Sequence, residues 1–286
     1  MNWSGTDEAG PTTRIASVLN ALQPSERRVV DLILQDAAGM VEITAQELAD
    51  RAGVARSTVV RTCQTLGYRG YPQLRVALTR ELAQAPGRDQ DYGSTALGRI
   101  RADVNALALS LPQITSLLDD GTVDRAVDGI VGAGRVLAIA NGLSSPLATD
   151  VAMRLTAVGR PVEFVADPIG QQIAARGLGA NDLGLVISGS GANDLTLRSA
   201  NAVRAAGAKL VAVTSFSRSP LVSIADVTLV VAPASGSFRH ELEHTSRIPH
   251  AVLLEALVDV VASRLGEVSR ASRSIVLDIL SENLSD

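Results

Sequence analysis

The chain has one cysteine, Cys63, in 286 residues. A single thiol cannot close an internal disulfide or build a cysteine zinc cluster, which fits a reducing compartment. Also missing is any run of the roughly 18 uninterrupted apolar residues that a membrane span needs. The opening stretch MNWSGTDEAGPTT is polar and acidic, not basic then apolar, so it does not read as a secretion signal and the expected location is the cytoplasm. Lysine is nearly absent: apart from Lys209, arginine carries the positive charge. What is present is 46% hydrophobic and 20% charged residues, enough for one large domain or two ordinary ones, each with its own core.

Acidic residues are missing locally too. A net charge of −4, taken alone, argues against a polyanionic partner. Yet residues 51–80 contain six arginines (Arg51, Arg56, Arg61, Arg69, Arg75, Arg80) and no Asp or Glu. A solvated helical surface in an arginine-rich chain would also carry arginines. Complete exclusion of acids over that length favours contact with a nucleic acid, because charge distribution and not its average decides such binding.

Helical spacing begins at Pro24, where SERRVVDLILQDA puts Val29, Val30 and Ile33, with Leu32 and Leu34 beside them, on one face. A second helix is predicted over 44–52, opened by Thr44-Ala45-Gln46-Glu47, the pattern of a capping box. Gly53 ends it, since glycine adopts the left-handed conformation a tight turn requires. Helical spacing resumes over 56–66 with Val59, Val60, Cys63 and Leu66, and Gly67 stops it. Two helices joined by the turn Gly53-Val54-Ala55 form a candidate helix-turn-helix, whose second helix meets base edges in the major groove. Its outward candidates are Arg56, Ser57, Thr58, Arg61, Thr62 and Gln64, with Arg69 beyond them; these residue types contact phosphates or bases. An ordinary helical hairpin would carry a glycine turn as well, and the basic segment weighs against it.

The stretch 84–95 (QAPGRDQDYGST) lacks periodicity and reads as a linker containing a domain boundary. Residues 96–119, with Leu97, Ile100, Val104 and Leu107, read as a helix that either joins the linker to a second domain or packs against a partner subunit. Short apolar runs then alternate with helical segments: 135–140, 162–165, 182–188, 209–214 and 226–231 are strands, and two long helices follow 248. Continuously apolar strands separated by helices imply a parallel sheet covered on both faces. The expected organisation is a helical domain over 1–83, a linker and connecting helix over 84–121, a doubly wound parallel five-stranded α/β domain over 122–265, and a C-terminal helix over 266–286.

In such a sheet, ligands bind beyond the carboxyl ends of the strands, where the strand order reverses. Asn141-Gly142-Leu143-Ser144-Ser145 follows the first strand, and Ser188-Gly189-Ser190-Gly191-Ala192-Asn193 follows the third. Each loop precedes a helix, whose N-terminus favours an anion such as phosphate. Serines before helices are also routine caps, but two such loops point to a site. Neither G-x-x-x-x-G-K-[ST] nor G-x-G-x-x-G is present, so ATP and NAD are not expected.

The stretch LADRAGVARSTVVRTCQTLGYRGYPQLRVALTREL resembles the N-terminal domain of the RpiR (MurR/RpiR) family of bacterial regulators over residues 15–83. Ala55 stands where related sequences usually present a serine. ISGSGAND and AGAKLVAVTSFSRSPLVSIADVTLVV are similar to the SIS (sugar isomerase) domain over about 122–265. That resemblance implies phosphosugar binding, with Ser144, Ser188, Ser190 and Asn193 as contacts and Ser145 as a neighbouring candidate. Ala140 replaces the usual first glycine of the strand-one loop, and Asn193 stands where serine or threonine is customary.

All three histidines fall in Arg239–His250. Glu241, Glu243, His244 and His250 supply residue types that aldose–ketose isomerisation uses, and His240 to His244 formally spell H-x-x-E-H, a zinc-ligand spacing. No third zinc ligand is evident, and a polar loop over the ligand pocket or at a subunit interface is the preferred reading of this stretch. The expectation is no catalysis, no cofactor and no metal, with a phosphosugar isomerase carrying an accessory domain as the alternative. Expected partners are operator DNA, a phosphosugar effector and further copies of the chain, as a dimer or tetramer, with no membrane.

Overall fold

The computed structural model describes residues 6, 8–84, 92–232 and 246–284. These fall into two compact units, one reaching to Leu117 and the other comprising Leu118–Val231 and the residues from Arg247 onward. The division lies beyond the linker read at 84–95; of the helix read over 96–119 the structure forms Ala96–Ser110 and a 3-10 turn at Leu111–Thr115, both in the first unit.

The first unit is all helix: α1 (Pro11–Val18), α2 (Pro24–Gln35), α3 (Ala37–Val41), α4 (Ala45–Ala52), α5 (Arg56–Thr65), α6 (Tyr71–Gln84) and α7 (Ala96–Ser110). Its core gathers Val29, Val30 and Ile33 of α2, Leu48 and Ala49 of α4, Val59 and Cys63 of α5, and Leu74 and Leu78 of α6. Each large apolar side chain buried in this way contributes about 1.5–3 kcal/mol. Local chemistry sets where the helices begin. Gln23 and Glu26 form a capping box ahead of α2, with Pro24 in its first turn. Thr44 and Glu47 form the predicted box ahead of α4: the Thr44 N–H donates to Glu47 Oε2 at 2.7 Å and the Glu47 N–H to Thr44 Oγ1 at 3.3 Å. The backbone hydrogen bond from Thr44, then that from its side chain, hold the Glu47 carboxyl below its ordinary pKa. On α7, Leu97, Ile100 and Val104 form an exposed apolar stripe.

The second unit opens with α8 (Asp120–Gly132) and continues β1 (Val136–Ile139), α9 (Ser145–Ala157), β2 (Glu163–Phe164), α10 (Pro168–Arg176), β3 (Leu183–Ile187), α11 (Asp194–Ala205), β4 (Lys209–Thr214) and β5 (Val227–Val230). Two helices complete it, α12 (Ile248–Leu265) and α13 (Glu267–Asn283). The five strands are all parallel, in the order β2-β1-β3-β4-β5. Leu137, Ile139, Val186, Leu210 and Ala212 face Ala175 of α10 and Ala200 and Val203 of α11. Because side chains alternate along a strand, Ala138, Leu185, Val211 and Val213 face the other way; α12 packs beside α8 and α9. Helices on both faces explain why β1 and β3 are buried along their whole length. The architecture is the predicted doubly wound sheet, and the reversal of strand order lies between β1 and β3.

Candidate functional site

In the first unit, α4 ends at Gly53, whose φ of 60° and ψ of 43° are left-handed. Arg28 of α2 reaches this turn and donates to the carbonyls of Ala52 at 3.0 Å and Gly53 at 3.3 Å. A cation there suits the negative end of α4. The next helix starts at Arg56, and Ala55 takes the N-cap position with no side-chain hydrogen bond, as its methyl dictates. Arg56, Ser57, Arg61, Gln64 and Arg69 are exposed, as predicted. Arg61 lies 3.7 Å from the buried Glu26 carboxylate, which also accepts from Thr65 Oγ1 at 3.4 Å.

Two of the predicted base-contacting residues face inward. Thr62 is fully buried and donates from Oγ1 to the Thr58 carbonyl at 2.8 Å, and Thr58 itself is 8% exposed. Thr62 therefore offers no free hydroxyl to a base edge. The stripe Thr58, Val59, Thr62, Cys63, Leu66 follows helical spacing, so the apolar positions already implied that both threonines belong to the inner face. Burial also pushes the Cys63 thiol up to about 12, which leaves it a packing group.

In the second unit, both serine loops stand at the carboxyl ends of β1 and β3, beside the reversal. After β1, Gly142–Ser144 form a short 3-10 turn leading into α9. Ser144 is buried and makes no capping hydrogen bond. Ser145 donates to the Ala140 carbonyl at 3.3 Å, so its proton is already engaged. After β3, Ser188 Oγ accepts the Gly191 N–H at 3.2 Å and Ser190 Oγ accepts the Ala192 N–H at 3.3 Å. Asn193 caps α11, its Oδ1 accepting from the Thr196 N–H at 3.1 Å and from Thr196 Oγ1 at 3.2 Å. Each serine hydroxyl of this loop thus accepts one local N–H, and Asn193 Oδ1 accepts both an N–H and an O–H. The hydroxyl protons of Ser188 and Ser190 and the amide NH2 of Asn193 remain as donors, a polarity that suits an oxyanion.

Three residues outside the predicted set, Asn141, Gln171 and Thr196, tie the loops together. Asn141 Nδ2 donates to Thr196 Oγ1 at 3.1 Å and to Gln171 Oε1 at 3.2 Å. Gln171 of α10, fully buried, passes its own amide hydrogens to the carbonyls of Ala140 at 2.9 Å and Val165 at 2.8 Å. The chain Asn193, Thr196, Asn141, Gln171 couples the β3 loop to the β1 loop. Its sequence signal was a polar residue on the inner face of a helix, at Thr196 of α11 and at Gln171 of α10. Gly191 is required by geometry: its φ is +61°, and a Cβ would collide with the Ser219 side chain.

His240, Glu241, Glu243 and His244 lie outside the described residues. His250 is described and is 1% exposed on α12, with Nε2 3.3 Å from Ser215 Oγ. Burial, then the neighbouring Arg247 charge, push its pKa down to about 3, so the imidazole is neutral. Among the described residues no group of three or more His, Cys, Asp or Glu could hold a metal ion. No described helix is long and apolar enough to cross a membrane.

A helix-turn-helix unit and a doubly wound unit with serine loops at its switch point define a two-part class of protein. The pattern of the helix-turn-helix domain of the rpiR family matches residues 10–85, and that of the SIS domain matches residues 129–253. The HTH-type transcriptional regulator HexR of Pseudomonas aeruginosa is 30% identical over 258 residues, covering 88% of this chain and 89% of that protein. The chain belongs to the RpiR family. The bifunctional protein glk of Paraburkholderia xenovorans is 30% identical over 268 residues, 92% of this chain but 41% of that protein. This chain therefore spans about two fifths of the length of that relative. The Vibrio vulnificus NanR protein, solved in complex with ManNAc-6P, superposes with a TM-score of 0.61 over 96% of this chain and 100% of that one. At 23% identity, that likeness is one of fold.

Proposed function

We propose that this protein is a DNA-binding transcription regulator of carbohydrate metabolism, in which α4 and α5 read an operator and the β1 and β3 loops bind a phosphorylated sugar as effector. The observation that carries the ligand half is the β3 loop, where Ser188, Ser190 and Asn193 each accept local hydrogen bonds while their own donors remain. For the DNA half it is the exposed set Arg56, Ser57, Arg61 and Gln64 on a helix that follows a left-handed glycine turn. The relatives support both halves: HexR bears the name of a regulator, and NanR was solved with a phosphosugar.

A single recognition helix reads a few base pairs, so the reading includes a homodimer at minimum, with two helices set on half-sites of an operator. Exposed apolar side chains on α13, among them Ile275, Ile279 and Leu280, supply a surface for association. Effector binding shifts the relative placement of the two reading helices through its different affinity for the two arrangements. No turnover of the sugar belongs to this reading.

The test is binding of the purified chain to DNA from upstream of its own coding sequence, with and without a panel of sugar phosphates. The expected result is salt-sensitive binding that one member of the panel alters. Absence of any DNA binding, or conversion of a sugar phosphate on incubation with the protein, overturns the reading.

A further inference from the structure

The acid-free segment 51–80 meets a carboxylate that comes from outside it. Glu26, in the first turn of α2, is buried, and its two oxygens serve two different helices. Oε2 accepts the Gln23 N–H at 3.1 Å, which closes the capping box at the start of its own helix. Oε1 looks across to α5, accepting from Thr65 Oγ1 at 3.4 Å and lying 3.7 Å from Arg61 Nε. A buried carboxylate is costly to desolvate; its place at the positive end of α2 and these donors offset that cost. Nothing between 51 and 80 could supply the carboxylate, since that stretch has no Asp or Glu. Ser57, Arg61 and Gln64 are spaced by four and three residues, so they share the exposed face of α5, with Arg61 in the middle. A guanidinium has N–H donors on three nitrogens, and here Nε is the one turned to Glu26. The terminal nitrogens have no hydrogen-bond partner among the described residues, and the side chain is 61% exposed.

We infer that Glu26 is a positioning residue of the DNA interface: it tethers Arg61 at Nε, so that the terminal nitrogens meet the operator in a set direction and α5 distinguishes that operator from other duplex DNA. The inference rests on the DNA half of the reading above and deepens it. A free arginine finds a phosphate on any sequence, because phosphates recur along every duplex and a long side chain adapts to them. An arginine directed in advance gives its full strength only where the DNA places an acceptor to match, and there it loses less side-chain entropy. The carboxylate also cancels part of the positive charge on which sequence-independent binding depends. Because Oε1 serves both Thr65 and Arg61, one turn apart on α5, the group that starts α2 also sets how α5 presents this face.

Fluorescence anisotropy of the full chain tests this with two duplexes of equal length, one from upstream of its own coding sequence and one of the same composition in scrambled order. Glu26→Gln removes the charge but keeps the capping box, which glutamine closes as glutamate does. It is expected to weaken binding to the upstream duplex by about 3- to 10-fold, the range for ordering one long side chain, while binding to the scrambled duplex stays equal or rises. In an Arg61→Ala background the same change should alter the ratio of the two affinities by less than about twofold, because Glu26 acts through Arg61. Arg61→Lys, at an exposed position where folding is not at stake, keeps the charge but lacks the separate Nε donor. It should keep the salt dependence of binding and lose selectivity by a factor similar to that of Glu26→Gln, so the comparison stands even if Glu26→Gln proves unstable. Equal weakening on both duplexes would mark Glu26 as a structural residue only and overturn the inference. An unchanged ratio in Glu26→Gln or Arg61→Lys overturns it too, as does an effect of Glu26→Gln that persists without Arg61. A wild-type chain that binds both duplexes equally leaves no selectivity for Glu26 to set and overturns this inference alone. A wild-type chain that binds neither overturns the DNA reading and this inference together.

Discussion

The two candidate surfaces treat their polar groups in opposite ways. On α5, Arg56, Ser57 and Gln64 project into solvent without a fixed partner among the described residues, and Arg61 has only a long contact to Glu26. In the β1 and β3 loops, nearly every polar side chain is already engaged, from Asn193 through Thr196 and Asn141 to buried Gln171. The difference reflects the partner each surface suits. Long side chains that remain free can adjust to a phosphate backbone and to base edges, with side-chain ordering as the cost of binding. A small ligand instead benefits from donors held in place beforehand, since each group fixed in the free protein need not be ordered later.

Four measurements would break or sharpen that contrast, the largest effect coming from the buried end of the rigid site. His250 has a folded pKa of about 3 against an ordinary value of 6.5, so the unfolded chain takes up its proton first as pH falls. The stability this neutral imidazole contributes is complete above about pH 6.5 and is lost towards pH 3, by at most about 1.4 kcal/mol per pH unit. Urea unfolding between pH 4.5 and 7 should therefore be flatter for His250→Leu than for the wild type. Equal slopes would mean that the imidazole is not held neutral.

Next comes the coupling of the two loops. Asn141→Ala removes both donors and leaves Gln171 Oε1 unsatisfied in the core, an expected loss of about 1–3 kcal/mol in thermal or urea unfolding, with weaker binding of a sugar phosphate. An unchanged midpoint would show that the network is not what holds the loops.

On the adaptable surface the effects are smaller and depend on salt. Arg56→Ala and Arg61→Ala should each weaken operator binding by about tenfold, and each should lower the slope of log affinity against log salt by about 1 if the lost contact is to a phosphate. Fluorescence anisotropy across a salt series gives both numbers, and an unaltered slope would remove those arginines from the interface. Thr62→Val should be nearly silent for DNA, within about twofold, because its hydroxyl is turned to the Thr58 carbonyl. A strong, sequence-specific loss at Thr62 would mean that α5 rearranges on the operator.

Most of the scaffold was legible from the chain alone. The helix-turn-helix and its capping box, the five strands and the two serine loops are local features, encoded in residues a few positions apart. Residues 233–245, which hold two of the three histidines and both glutamates considered for isomerisation, lie outside the described structure. The inward set of Thr58 and Thr62 was also available, since it follows from the spacing of Val59, Cys63 and Leu66; the polarity of a hydroxyl hid it. The boundary read at 84–95 came from composition, whereas the division between the units falls at Leu117.

By itself, then, the sequence determined the kinds of elements, their order, and which loops carry donors, because periodicity, caps and turn glycines act over a single turn or strand. Tertiary structure alone decided the strand order that places β1 beside β3, the Asn141–Thr196 bond across 55 residues, and the meeting of Glu26 with Arg61 and Thr65 of α5. The physical reason is that such contacts depend on close approach between segments distant in the chain. Neither partner's local sequence carries a record of the other.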